Sequence, residues 1–494
     1  MRQGLTLWES QMTYKNLGEF IRELEQEGDL VRVSAEVDAE LEITEIADRV
    51  MKSEGGGQAL LFEKVKGSKL PVLINALGSK ERMCRALGVG DFIEIAERIE
   101  ELLKPQAPTG FIDKVRKIPE LAQWVNYVPR KVKKAACQEI VYQGDEVSLD
   151  RLPILKCWPM DGGRYITFGQ VYTKDIETNK RNVGMYRVQQ LDEKTCAMHW
   201  QIHHDGAGHC RGYEKAKAKM PVALVMGGDP VLSYAASAPV PSGMDEVVFA
   251  GFLRRKAVEI ISCISIDMEV PAEAEIVIEG YADPYDLVEE GPFGDHTGYY
   301  SMPQRYPRFT VTAITLRENA IYPATIVGLP PMEDYYMGLA TERIFLPAVR
   351  MFLPEVADYH LPVFGVFHNF CFVSIRKEYP YHARKVMHGI WGLGQLMFSK
   401  FIVVVDEDVD VQDADKVWFE VGANVDPRRD ICMVDGPVDA LDHAAPQLCA
   451  GSKMGIDATR KWPGEGIARD WPPKIKMPPE IKDLVDRRWE EYGI

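Results

Sequence analysis

Residues 289–300, EEGPFGDHTGYY, pack three glycines, a proline and three carboxylates into a dozen positions. Gly and Pro fix a tight backbone path, which holds acids against a ligand rather than in bulk water. Paired acids in such a turn suit general acid/base work. The plain alternative is a solvated turn. The aromatics Phe293, Tyr299 and Tyr300 argue against it, because they predict that the loop is buried. A second candidate is Arg187, which ends the run NVGMYR at 182–187. An arginine in a strand is more often a surface or salt-bridge residue. Set among Val, Met and Tyr it can also face a buried site, where it would need an anion partner.

Residues 198–210, MHWQIHHDGAGHC, carry four histidines: His199, His203, His204 and His209. Imidazole is the commonest transition-metal ligand. The spacing matches no zinc finger, so most of the four are expected in solvent, with one or two ligands at most. In PVPSGMDEVVFAG, 239–251, Pro and Gly set a loop from which Asp245 and Glu246 begin a helix. Acids in a first helical turn oppose the helix dipole and by themselves say nothing about catalysis. Neither a P-loop nor a GxGxxG fingerprint is present.

The whole chain has 494 residues, 46% hydrophobic and 27% charged, the balance of a globular enzyme with sizeable cores. A net charge of -16 argues against a general nucleic-acid binder, which needs a basic face. Any phosphorylated cofactor would then need local positive charge from a metal, Lys or Arg. Nine cysteines without a CxxC pair read as reduced cytosolic thiols. The first residues lack the apolar core of a signal peptide, and no apolar run is long enough to cross a bilayer. A cytoplasmic protein is expected.

These groups must be positioned by regular elements. Leu17, Phe20, Ile21 and Leu24 recur at helical spacing before Gly28. Ile43, Ile46 and Val50 mark a second helix ending at Gly55–Gly57. Strands are expected at 60–62 and 72–74, then a helix N-capped by Asp91. Residues 105–110 read as a linker. The middle third turns β-rich, with strands at 165–174, from Asn182, and at 222–225, 257–261, 276–279 and 309–316, forming a barrel with helices on its rim. Helices follow at 342–351 and 381–398, and 401–405 is a buried strand. A terminal helix over 480–491 has few apolar anchors, so it packs on a partner subunit or lies free.

Taken together these segments resemble the UbiD family of decarboxylases along nearly the whole chain. The shared runs are CQEIVYQGDEVSLDRLPILKCWP, NVGMYR, MHWQIHHDGA, PVPSGMDE, EGPFGDHTGYY, VGLPPMED, KFIVVVDEDVD and GSKMGIDAT, in the family's order. The resemblance implies an α/β (α+β overall) fold. An N-terminal α/β domain (1–125) would precede a split-barrel domain binding prenylated FMN and metal (126–328). A C-terminal α/β domain (329–475) and a helical tail (476–494) would follow. It implies a divalent metal, usually manganese, held by Asn182, His203 and Glu246, with His199, His204 and His209 outside the ligand set. A potassium ion would sit near the carbonyls of Ala236, Ser237 and Ala238. Cofactor contacts fall on Asn182, Met185, Tyr186, Arg187, Ile202, His203, Glu246 and Lys400, the lysine reaching the phosphate. Catalysis falls on Arg187, Glu290 and Asp295, with Asp295 the shorter of the acids found at its position.

Loss of carbon dioxide from an sp2 carbon leaves an anion that no side chain can delocalise, so a cofactor must act as electron sink. The family does this through a covalent adduct of substrate and prenylated FMN. Burial raises and Arg187 lowers the pKa of Glu290, so it is expected to exchange a proton near neutral pH. The implied reaction is reversible, non-oxidative decarboxylation of an aromatic or α,β-unsaturated acid. YRVQ, GDHTGYY and GSKMGIDATRKWPGE are most similar to the quinone-biosynthesis branch, the 3-polyprenyl-4-hydroxybenzoate carboxy-lyase or menaquinone type. Degradative aryl-acid enzymes share much of the pattern. The chain carries no flavin prenyltransferase motif, so a separate enzyme would supply the cofactor. A homodimer or higher homo-oligomer is expected. A split-barrel oxidoreductase using plain FMN would explain the barrel but not the paired acids; a metal-binding scaffold would explain only the histidines.

Overall fold

A computed structural model describes residues 13–103, 126–241 and 243–494. The 105–110 linker therefore lies outside the described residues. The first helix, Leu17–Gln26, starts where the Asn16 side chain accepts the Glu19 N–H, and it buries Leu17, Phe20, Ile21 and Leu24. Helix Glu42–Met51 ends before Gly55, Gly56 and Gly57, all at positive φ. Three strands of a four-stranded sheet belong to this region: Leu30–Val37 between the two helices, then Ala59–Val65 and Val72–Ile74 after them. The fourth, Tyr322–Pro323, returns from far along the chain. With two residues it has no sequence pattern of its own.

The central sheet has nine strands. Its order runs Tyr165–Ile166, Val188–Gln190, Thr195–Met198, Gln304–Leu316, Ile276–Glu290, Met220–Met226, Gln170–Lys174, Arg181–Met185, with Ile140–Gln143 also on Gln304–Leu316. This order dictates a shape. Strand Arg181–Met185 is last in the sheet and Val188–Gln190 is second, yet only Tyr186 and Arg187 separate them. Such a link spans roughly 10 Å at most. The short link from Tyr165–Ile166 to Gln170–Lys174 imposes the same closure. A flat nine-stranded sheet would hold those strands tens of ångströms apart at roughly 4.8 Å per strand. The sheet must therefore curl into a split barrel, and Arg187 lies on its seam. The expected strand over 165–174 is two strands because Tyr165–Ile166 pairs with Val188–Gln190 while Gln170–Lys174 pairs with Met220–Met226 and Arg181–Met185; between them Gly169 sits against Leu224, where a Cβ would come within 2.3 Å of the side chain.

Helix Glu333–Phe352 leads out of the barrel region and packs on helices Lys80–Ala86 and Ile93–Leu103. It begins nine residues before the expected 342, through a stretch whose Tyr and Gly content hides the period. The C-terminal sheet has the order Val356–His360, Phe370–Ile375, Phe401–Asp406, Ala450–Asp457, Ile431–Pro437. The helix expected over 381–398 stops at Trp391, where Gly392 ends it, and a short 3-10 turn, Gly394–Phe398, completes the segment. The terminal helix, Pro479–Arg487, buries none of its residues. Among the described residues no helix is long and apolar enough to cross a membrane.

One cap ties fold to site. Asp245 accepts the Val247 N–H at 2.8 Å at the start of helix Glu246–Leu253, and pairs with Arg181 at 2.6 Å. It thereby fixes where Glu246 points relative to strand Arg181–Met185. Asp245→Ala should cost roughly 2 kcal/mol, from the lost cap and from an unpaired, largely buried Arg181. Asp245→Asn, which keeps the cap acceptor, should cost less than half of that. Chemical denaturation of the purified variants measures both.

Candidate active site

Glu290 is the last residue of the long strand Ile276–Glu290 and is fully buried. The chain then leaves the strand through Gly291, whose φ of +102° disfavours any other residue. The loop beyond is held from several sides. Gln189 accepts the Gly291 N–H at 2.9 Å, and Gly162 donates to the Pro292 carbonyl at 2.7 Å. Asp161 accepts from the backbone of Cys157, Trp158 and Gly294. Gly294 lies so close to Trp158 that a Cβ would sit 2.2 Å from its ring. The loop is thus a fixed platform, as its Gly and Pro content foretold. Phe293 is buried against Tyr165, their rings 4.6 Å apart. Tyr299, expected to bury the loop, is instead 59% exposed and lies with its ring 4.0 Å from that of His443.

Arg187 on the seam meets both acids. Its Nε and Nη2 donate to the two oxygens of Glu290 at 2.9 and 3.0 Å, its Nη1 to Asp295 at 2.5 Å, and Nη2 also to Ser301 at 2.9 Å. The guanidinium carbon stands 4.8 Å from the centre of the Phe293 ring. The open question about Arg187 is therefore settled: it is buried and its anion partners are Glu290 and Asp295.

Two histidines extend the cluster. His199 Nδ1 lies 2.9 Å from Glu290 Oε2, and His296 Nδ1 lies 2.9 Å from Asp295 Oδ1. The expectation that most of the MHWQIHHDGAGHC histidines are solvated fails at His199, which is buried, and at His209, which bonds Thr173. Residues 196–200 are buried throughout, and His199 is buried with them. His199 follows strand Thr195–Met198 and turns inward, which a cluster of polar residues in sequence does not reveal. His296 stood inside the acid motif, but nothing in its spacing marked a role.

Electrostatics follow from these contacts. Burial raises Glu290, but the His199 hydrogen bond and the charge and hydrogen bonds of Arg187 together outweigh it, leaving it below the usual carboxylate range. The expected exchange of a proton near neutral pH therefore does not describe this arrangement: two donors hold Glu290 as a carboxylate. Asp295 is likewise held well below its usual value, burial being overcome by His296 and Arg187. His296 is pushed up to about 9, because Asp295 outweighs burial.

The candidate cofactor-side residues lie on the same seam. Glu246 is buried and accepts the Val183 N–H at 2.8 Å, which places it beside Asn182. Burial pushes Glu246 up to about 7, and no cation pairs with it among the described residues. The buried Nδ2 of Asn182 lacks a partner there too. Tyr186 faces both the Asn182 side chain and the Gly206 backbone, and its ring is 5.6 Å from His204. His203 is exposed on the turn after strand Thr195–Met198, its ring 5.5 Å from Phe398, and Ile202 beside it is 62% exposed. Among the described residues no three His, Cys, Asp or Glu side chains form a metal-binding group; Asn182, His203 and Glu246 include only two of those types. A buried carboxylate without a cation fits a hard divalent ion, which takes oxygen ligands, and Asn182 beside it carries an amide oxygen. Met185 is half-buried and donates its N–H to the Ala236 carbonyl at 2.9 Å, while Ala238 accepts from Val240. Lys400 is held by Asp442 at 2.8 Å.

Comparisons with known proteins bear on this site. Family models for the N-terminal, Rift-related and C-terminal domains of 3-octaprenyl-4-hydroxybenzoate carboxy-lyase match residues 21–102, 130–330 and 335–458. An uncharacterized protein of Aquifex aeolicus is 52% identical, over 97% of this chain and 99% of its own length. The closed form of vanillic acid decarboxylase from Sedimentibacter hydroxybenzoicus is 29% identical, covers 97% of this chain and 99% of that one, and superposes with a TM-score of 0.85; its open form gives 0.77. The UbiD-class enzyme HmfF of Pelotomaculum thermopropionicum, in complex with FMN, is 29% identical over 95% of this chain and 99% of that one, TM-score 0.78. An evolved dimeric form of HmfF in complex with prFMN gives 0.77 at 27% identity, over 96% and 100%. Three family models in register along the chain, and a barrel seam carrying an arginine between two buried acids, lead to one conclusion: this chain belongs to the UbiD family and is a carboxy-lyase.

Proposed function

We propose that this chain decarboxylates, reversibly and without net oxidation, a hydroxylated aromatic acid, with prenylated FMN and a divalent ion bound on the barrel seam. The observation that carries the reading is the Arg187 guanidinium between two buried carboxylates. HmfF complexes with FMN and prFMN support the cofactor. When bound, prenylated FMN supplies the electron sink that carbon–carbon cleavage at an sp2 carbon requires. Asn182, His203 and Glu246 would hold manganese or a similar ion. Met185, Tyr186 and Ile202 would line the ring system, and Lys400, released from Asp442, would meet the phosphate. The carbonyls of Ala236, Ser237 and Ala238 would take potassium.

Arg187 is the natural receptor for the substrate carboxylate, because its planar fork binds carboxylates in two-point fashion. A substrate that takes part of the guanidinium withdraws one of the two donors that hold Glu290 ionised. The pKa of Glu290, buried in an apolar strand end, then climbs. As its pKa climbs Glu290 takes up a proton from solvent, and it then delivers that proton to the carbon from which carbon dioxide departs, returning to the carboxylate. Asp295 stays ionised against His296 and keeps Arg187 in place. Phe293 and Tyr165 keep water from the transfer.

Both candidate substrate classes are hydroxylated aromatic acids. The family models are described by a quinone-precursor carboxy-lyase, which favours a polyprenyl-hydroxybenzoate or dihydroxynaphthoate. The similarity to vanillic acid decarboxylase supports a degradative substrate as second reading. Carbon dioxide release from a panel of vanillate, 4-hydroxybenzoate, its prenylated derivative and dihydroxynaphthoate separates the two. The exposed terminal helix, with Ile481 and Leu484 on its surface, supports a homodimer or larger homo-oligomer.

Three outcomes test the reading. Protein from a host without flavin prenyltransferase should be inactive and should gain activity on co-production; full turnover with plain FMN would defeat the cofactor assignment. Glu246→Ala should lose both metal and flavin, since an ion held by Glu246 would screen that carboxylate from the negative charge of the cofactor; elemental analysis and absorption spectra decide. Glu290→Gln should lower turnover by about 10²–10⁴-fold with flavin retained, the usual contribution of a general acid. Asp295→Asn should be milder, and the reverse ranking would move the acid role to Asp295.

A further inference from the structure

Beyond the acid pair, a second contact crosses from the barrel to the C-terminal sheet. His296 Nε2, on the acid loop, lies 3.2 Å from the Nε2 of His368. His368 sits just before strand Phe370–Ile375. Two imidazole nitrogens bond only when one carries a proton and the other does not. The surroundings say which is which. The Asp295 carboxylate accepts from both the backbone N–H and Nδ1 of His296. Asp334, from helix Glu333–Phe352, and Asp439 of the C-terminal region add negative charge. His368 is buried, and burial together with repulsion from His296 outweighs Asp439, Asp442 and Asp295, holding it below the usual imidazole range. His296 is therefore the imidazolium. It donates from Nδ1 to Asp295 and from Nε2 to the lone pair of a neutral His368.

The backbone that delivers His368 is itself unusual. Val366 and Phe367 both have positive φ, 41° and 68°, a region that L-residues, and a β-branched one above all, rarely adopt. Such strain persists only where surrounding contacts over-determine it, and it gathers at functional sites. Here Phe367 packs so tightly on Gly338 that a Cβ there would come within 2.6 Å of its ring. The Phe367 ring also lies 5.7 Å from that of His296. Next in the chain, the His368 carbonyl accepts the Lys400 N–H at 3.0 Å. The strained turn thus presents an apolar ring and one acceptor nitrogen to the acid loop.

We infer that His368 is a positioning residue: it accepts the His296 hydrogen bond, which keeps the imidazolium on Asp295 and so keeps Arg187 gripped by that acid. The inference rests on the reading that Arg187, Glu290 and Asp295 carry the chemistry. Because the two histidines come from different sheets, the chain of contacts from Glu290 through Arg187, Asp295 and His296 is complete only while the C-terminal sheet lies over the seam. The present structure, more similar to the closed than to the open vanillic acid decarboxylase, has that arrangement.

The test is an imidazole 15N titration of the holoenzyme labelled at histidine, with His296→Asn assigning the resonance. In the wild type His296 should titrate near 9. In His368→Leu its midpoint should fall by about one to two pH units, since a buried hydrogen bond to a charged donor is lost. His368→Gln, which keeps an acceptor oxygen, should restore at least half of the shift. For any panel acid that turns over, the alkaline limb of kcat/KM in His368→Leu should move to lower pH by the same amount. A His296 midpoint unchanged in both variants, or a wild-type midpoint near 6.5, overturns the inference. If His368→Leu fails to fold, the wild-type midpoint and His368→Gln still decide. If no panel acid turns over, the functional reading fails while the titration stands by itself.

Discussion

A guanidinium buried between two carboxylates is the constraint around which the rest is arranged. Arg187 is 8% exposed at its side chain, Glu290 0% and Asp295 10%. Taking these charges out of water costs several kcal/mol per ion, and mutual attraction offsets that only with close geometry and full hydrogen bonding. The structure supplies both: two-point contact to Glu290, one bond to Asp295 and one to Ser301. One cation against two anions would still leave a buried negative charge. His296, the imidazolium on Asp295, balances it. The barrel seam, the rigid acid loop and the C-terminal sheet can all be understood as the frame that this small, neutral set of charges requires.

The frame explains why the loop is so firmly tied. A bidentate contact tolerates little displacement, so the backbone carrying Glu290 and Asp295 has to be rigid. Gln189, Gly162 and Asp161 provide that rigidity through backbone hydrogen bonds, and Trp158 closes on Gly294 without room for a Cβ. On the other side of the seam the order of priorities differs. Asn182 is buried with its Nδ2 unmatched, Glu246 is buried with no cation paired to it among the described residues, and Ile202 and His203 are exposed. A site that is electrostatically complete at the acid loop and incomplete at Asn182 and Glu246 is what a reaction centre next to a cofactor platform would be.

Much of this was legible in the amino-acid order. The amphipathic helix Leu17–Gln26, the buried strand Phe401–Asp406 and the cap at Asp245 follow from local rules, because periodicity and capping are properties of neighbouring residues. The acid loop was legible for the same reason: Gly, Pro and paired acids sit together in sequence. Where the local reading erred, the cause was distant for the 165–174 strand and for Tyr299, and local for the 381–398 helix, which Gly392 itself ends. The 381–398 helix broke at Gly392, the 165–174 strand broke where Gly169 meets Leu224, and Tyr299 faced outward toward His443.

The sequence by itself determined the residue types, the local elements, the family resemblance and the acids at 290 and 295. What only the tertiary structure decided is which charges meet. Arg187 and Glu290 are 103 positions apart, His199 and Glu290 91, and His296 and His368 72. No local pattern encodes such pairings, because they arise when a nine-stranded sheet curls and a second sheet is laid across its seam. The ionisation of Glu290 was misjudged for that reason. Burial alone can be anticipated from apolar neighbours, but the balance between burial and two converging donors depends on distances that exist only after folding.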